Sequence, residues 1–97
     1  MRHGEYKMPG GKLTVVDLDV IDGRLSHVAI SGDFFLEPDS TLDVINAALT
    51  GLPADSNESL FAAAVADSLP HGATLYGVSP EVIATAVSRA IAAGDPA

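Results

Sequence analysis

Cysteine and tryptophan are both missing from this 97-residue chain. Without cysteine there is no disulfide, no thiolate metal ligand and no thiol nucleophile, and nothing points to an oxidising compartment. Aromatic residues are scarce, at 5%, so aliphatic side chains and alanine have to fill the core. Positive charge is scarce too: five Lys or Arg stand against thirteen Asp or Glu, for a formal charge of −8. A net acid is poorly suited to coating a phosphate backbone, which argues against nucleic acid as a partner. No apolar run approaches the roughly 20 residues of a membrane span. The opening Met1-Arg-His-Gly-Glu-Tyr-Lys7 has no apolar stretch behind it and does not read as a signal peptide. The expected location is therefore the cytoplasm, with no membrane partner.

What is present suits one small folded domain over residues 1–97: 47% of residues are hydrophobic. The few cations are unevenly placed. Arg2, Lys7 and Lys12 lie in the first twelve positions beside His3, where Glu5 is the one acid; Arg24 and Arg89 are the remaining two. A basic head on an acidic body suggests that the head meets something negative, although a solvated terminus has the same composition.

Residues 1–11, rich in glycine and charge, read as extended or loop. Residues 12–20 and 24–35 alternate apolar and polar residues and read as two strands joined at Asp22-Gly23. A two-residue loop would pair Ile21 with Arg24, set Asp17 opposite Val28 and mix the two faces. A three-residue loop pairs Val20 with Arg24. It gathers Val16, Leu18, Val20, Val28, Ile30 and Phe34 on one face and Asp17, Asp19, His27 and Ser31 on the other. The second register is the expected one, because it sorts the faces. Three helices follow. The first starts at a Ser40 cap with Asp43 as its capping-box acid and carries Leu42, Ile45 and Leu49. The second spans residues 57–68, with Leu60, Phe61, Ala64 and Val65 on one face. The third opens with Ser79-Pro80-Glu81, carries Ile83, Ala86, Val87, Ala90 and Ile91, and ends at Gly94. Residues 73–76 suit a short third strand. The expected class is α+β: a small antiparallel sheet, a hairpin plus a possible third strand, packed on one face by about three helices.

Two segments carry candidate site residues. In Lys7-Met-Pro-Gly-Gly-Lys12, Gly10 and Gly11 allow backbone amides to turn inward as a nest for an anion, and Lys7 and Lys12 supply positive charge. It is not a P-loop: Tyr6 stands where the first glycine belongs and Leu13 replaces the Ser or Thr. In Gly32-Asp-Phe-Phe-Leu-Glu-Pro38, parity points Phe35 away from the buried face, either as a partner anchor or as the cover of a minor second core. The expected register sets Lys12 opposite Gly32, so the two segments meet at one end of the hairpin, with Asp33 in reach of Lys7 or Lys12. The other signals are weak. His3, His27 and His71 show no metal-ligand spacing. Asp17 and Asp19 read as a solvated face. No nucleophile elbow exists, so no catalytic residue is assigned.

Taken together, His3-Gly-Glu-Tyr-Lys-Met-Pro-Gly-Gly-Lys-Leu13, then Ile30-Ser-Gly-Asp-Phe-Phe-Leu-Glu-Pro38, then Gly77-Val-Ser-Pro-Glu-Val-Ile-Ala84 resemble the C-terminal accessory domain of lipoate–protein ligases. In some microbes this domain is a separate small chain. The resemblance implies a catalytic large subunit as partner, forming a heterodimer that activates lipoate with ATP to lipoyl-AMP. That subunit then passes the lipoyl group to a lysine on lipoyl-carrier domains of 2-oxoacid dehydrogenases or on the glycine cleavage H protein. ATP, Mg and lipoate would belong to the complex, with no cofactor bound to this chain alone. Two other readings stand beside it: a docking module that never touches nucleotide, and a free-standing enzyme with a different task.

Overall fold

Arg2–Lys7, read from the sequence as extended or loop, is a strand. In the computed structural model, which describes residues 1–95, this strand (β1) runs antiparallel to β2, Leu13–Ile21. Arg2, Gly4 and Tyr6 turn inward, while His3, Glu5 and Lys7 face solvent. The inward set is an arginine stem, a glycine and a tyrosine, so its alternation is invisible to hydropathy. β3, Arg24–Gly32, completes a sheet of order β1-β2-β3.

The hairpin register differs from the expected one. Ile21 pairs with Arg24 across a two-residue Asp22-Gly23 loop, whose φ values of 53° and 75° are those of a primed turn. The face mixing that argued against this loop is removed by a bulge. Asp19 pairs with Ser26, but Asp17 pairs with Ala29, so β3 carries one extra residue. His27, at φ 51°, lies in that step. Leu25 before the bulge and Val28 and Ile30 after it then all face the core. Further along, Thr14 lies opposite Gly32, in place of the expected Lys12–Gly32 pair.

The run 24–35 is also broken. Gly32 sits at φ 152°, and the Leu13 carbonyl and the Phe34 ring occupy the space of the Cβ it lacks. The chain turns there, the Asp33 amide donates to the Leu13 carbonyl at 3.2 Å, and a new strand, β4 (Phe35–Glu37), begins. β4 pairs with β5, Thr74–Tyr76, in a separate two-stranded ribbon. The third strand expected near residue 74 is therefore present, but it joins this ribbon and not the main sheet.

Three helices lie on one side of the main sheet: α1 (Thr41–Leu49) and α3 (Pro80–Ala93) rest on its strands, and α2 (Glu58–Ser68) packs against both helices. Val16, Leu18 and Ile30 of the sheet meet Ile45, Leu49, Phe61, Val65 and Val87 of the helices in one core. α3 begins as expected: Ser79 accepts a hydrogen bond from the Val82 amide at 3.2 Å, and Pro80 fills the first turn. Gly94, at φ 71°, ends it. The Ser40 capping box does not form. Ser40 is itself helical, at φ −61°, and makes no side-chain cap; the first turn is started by the Thr41 amide donating to the Pro38 carbonyl at 2.9 Å. Leu60, expected on the inner face of α2, is exposed, and Phe61 and Val65 carry that face.

α3 lies directly on β1. A Cβ on Gly4 would fall inside the backbone of Ala86 and Ala90, so the glycine lets strand and helix backbones touch. Arginines stitch the same seam. Arg2 donates to the Ile91 carbonyl at 3.0 Å, and Arg89 donates to the Glu5 carbonyl at 3.2 Å. The Arg89 guanidinium also stacks 4.6 Å from the Tyr6 ring centroid.

Candidate functional site

The fate of the five cations locates the site. Arg2, Arg24 and Arg89 each donate to a backbone carbonyl, of Ile91, Gly51 and Glu5 respectively. Lys7 and Lys12 make no ion pair or side-chain hydrogen bond among the described residues. They flank the loop that joins β1 to β2. Within it the Gly11 amide donates to the Met8 carbonyl at 2.7 Å, Pro9 holds the second position and Gly10 the third at φ 76°, a type II turn. The amide nest expected at the glycine pair is therefore reduced, because Gly11 uses its N–H inside the turn. The Lys7 and Lys12 side chains are left as the cationic groups of this loop.

Lys7, Gly11, Lys12, Leu13 and Asp33 line a depression of about 350 Å³. That is the low end for a small-molecule site. Asp33, in reach of both lysines, forms no ion pair with either among the described residues. Gly11 and Lys12 also border a second depression, of about 280 Å³, with Met8, Gly77, Val78, Ser79 and Val82. The loop ahead of α3 thus enters the site. The sequence marks Ser79 as a helix cap and Gly77-Val78-Ser79 as part of the family-like closing run, without tying them to this site.

Four of the seven candidate residues meet here: Lys7, Gly11, Lys12 and Asp33. Gly10 shapes the turn without lining the depression, and Gly32, opposite Thr14, does not line it either. Phe35 does not join them. It sits on the ribbon directly opposite Tyr76, and the two are 73% and 50% exposed. Phe35 covers no second core; it forms half of an outward aromatic pair.

The open face of the main sheet carries the other polar cluster. The His3 ring bridges two carboxylates, with Nε2 2.6 Å from Glu5 and Nδ1 2.7 Å from Asp17. These hydrogen bonds, Glu5 first and Asp17 second, raise the His3 pKa above 6.5. His27 Nδ1 lies 2.9 Å from Asp19. No cluster of three or more His, Asp or Glu among the described residues has metal-binding geometry, and no described helix is long and apolar enough to cross a membrane.

The geometry defines an α+β domain with a shallow dilysine depression at one end. No protein-family model matches the chain, and no curated protein matches it. Among solved structures, one matches over 90% of this chain and 94% of its own, with a TM-score of 0.72 at 26% identity. It comes from an archaeal lipoylation system of Thermoplasma acidophilum, a bi-partite lipoate protein ligase and its E2 lipoyl domain. The chain is therefore related to a component of a lipoylation system.

Proposed function

We propose that this chain is the accessory subunit of a two-part lipoate–protein ligase, required with a separate catalytic subunit for ATP-dependent activation of lipoate to lipoyl-AMP. The observation that carries the reading is the near end-to-end likeness to a component of a bi-partite lipoate protein ligase system. The site agrees with it. ATP and pyrophosphate are polyanions, and the two cations of this acidic chain left unpaired among its described residues border one depression. In this reading Lys7 and Lys12 offset the charge that gathers on the phosphates during adenylation. Seated over the catalytic subunit's pocket, the domain also keeps water from a hydrolysable acyl-adenylate. The adenylating chemistry, with Mg and lipoate, belongs to the partner.

The test is lipoate-dependent ATP–pyrophosphate exchange by the catalytic subunit, with and without this chain. Exchange that requires both chains is the expected result. Full exchange by the catalytic subunit alone would remove the adenylation role. A second reading, a docking module for the large subunit or a lipoyl-carrier domain, is favoured by the exposed Phe35–Tyr76 pair. Lys7→Ala and Lys12→Ala separate the two. The first reading expects exchange to fall with the complex intact. The second expects exchange to survive while Phe35→Ala with Tyr76→Ala weakens the complex.

A further inference from the structure

A lysine is a mobile point charge on a four-carbon stem, and the exposed Lys12 lays that stem against Gly77. Gly77, on the loop between β5 and α3, has φ 81°. A Cβ placed there would lie 2.7 Å from the Lys12 Cγ, 3.4 Å from the Lys12 Cβ and 3.7 Å from the Phe34 Cβ. The Lys12 stem therefore lies in the space that a side chain at position 77 would need. Phe34 forms the floor beside it. The Phe34 ring in turn packs where a Cβ on Gly32 would sit, at 2.9 and 3.0 Å. Two glycines, distant in sequence, thus open a slot for one lysine stem on a floor that packs against the core.

We propose that Gly77 is a positioning residue for Lys12, directing its ammonium group over the two depressions that Lys12 borders, where a phosphate-type anion would be held. The proposal rests on the reading that Lys12 faces a polyanion. It adds that the lysine acts from one fixed seat and that Gly77 creates the seat. Filling the slot with a single methyl group displaces the stem by more than a few tenths of an ångström. Misplacing a charged group at a reaction site by about 1 Å costs on the order of tenfold to a hundredfold in rate.

The experiment uses the complex with the catalytic subunit and measures kcat and KM for ATP in pyrophosphate exchange. Four variants are compared: Lys12→Ala, Gly77→Ala, the double variant, and Gly72→Ala. Gly72 has φ 83° and nothing within 4 Å of its missing Cβ, so it reports left-handed strain alone. The expected result is a loss of about tenfold or more in Gly77→Ala, with the same split between kcat and KM as Lys12→Ala. The double variant is then no worse than Lys12→Ala, and Gly72→Ala matches wild type. If Gly77→Ala behaves like Gly72→Ala, or if its loss multiplies with that of Lys12→Ala, the positioning role is overturned while the Lys12 reading stands. If Lys12→Ala itself changes nothing, both fall. Should Gly77→Ala unfold the chain, adding Lys12→Ala must restore the fold, because it deletes the atom in conflict; failure to restore it overturns the proposal.

Discussion

Gly4 and His3 are adjacent on β1 and respond to different variables. Gly4 faces α3 with no room for a methyl group, and the atoms it would strike, the Ala90 amide nitrogen and the Ala86 carbonyl, are backbone and cannot rotate away. Gly4→Ala is expected to destabilise by at least the roughly 1–3 kcal/mol of core overpacking, read from denaturant melts. His3 faces solvent, and its response is to pH. Its folded pKa is raised by Glu5 and Asp17, so its contribution is fully present below the unfolded value of 6.5 and is lost as pH rises through the higher folded value. Stability should therefore decline over a window opening near 6.5, and His3→Gln should flatten that part of the profile in thermal melts taken across it. His3 is exposed, so salt will weaken the effect.

At the scale of elements, the two serines expected to cap helices provide a direct comparison. Ser79→Ala removes a side-chain bond to the Val82 amide and should cost about 1 kcal/mol. Ser40→Ala removes no such bond and should be close to neutral. Denaturant melts of the two variants check both statements. The comparison also shows how far local sequence signals reach. Ser79-Pro80-Glu81 and Gly94 carry the limits of α3 because caps and proline act within one turn. The Asp22-Gly23 turn was legible for the same reason, and its two-residue loop is the one formed. The argument against it assumed strict alternation along β3. The bulge at His27 breaks that alternation, and a bulge inside a strand has no composition of its own. β1 was missed because its inward positions are Arg2, Gly4 and Tyr6. They are selected by the approach of α3, an element that lies far along the chain.

For the molecule as a whole, one core joins sheet and helices, and aromatic residues mark its inside and outside. Phe61 is fully buried between α2 and its neighbours, whereas Phe35 is 73% exposed. Phe61→Ala should cost about 3–5 kcal/mol. Phe35→Ala should stay within about 0.5 kcal/mol, a difference that denaturant melts resolve easily. The candidate site was legible as two segments, Lys7–Lys12 and Gly32–Phe35, and the fold brings their ends together by a different pairing from the expected one. Residues 77–79 could not have been added from composition, since only packing sets Gly77 against Lys12. Phe35 could not have been separated from the site either. Its departure depends on the turn at Gly32, where two backbones come too close for a side chain.

The seam between β1 and α3 has a consequence for synthesis. The strand is made among the first residues of this sequence and the helix among the last, and Arg2, Gly4 and Tyr6 all pack against that helix. While the ribosome is still adding residues 80–93, the three-stranded sheet can already pair, yet Val16 and Leu18 lack part of their cover. Such long-range closure is slow and leaves apolar surface exposed in the meantime. The nascent chain is therefore expected to pass through a stage in which β1 and β2 lack the cover of α3, and to gain its full resistance to proteases only once α3 has packed against them.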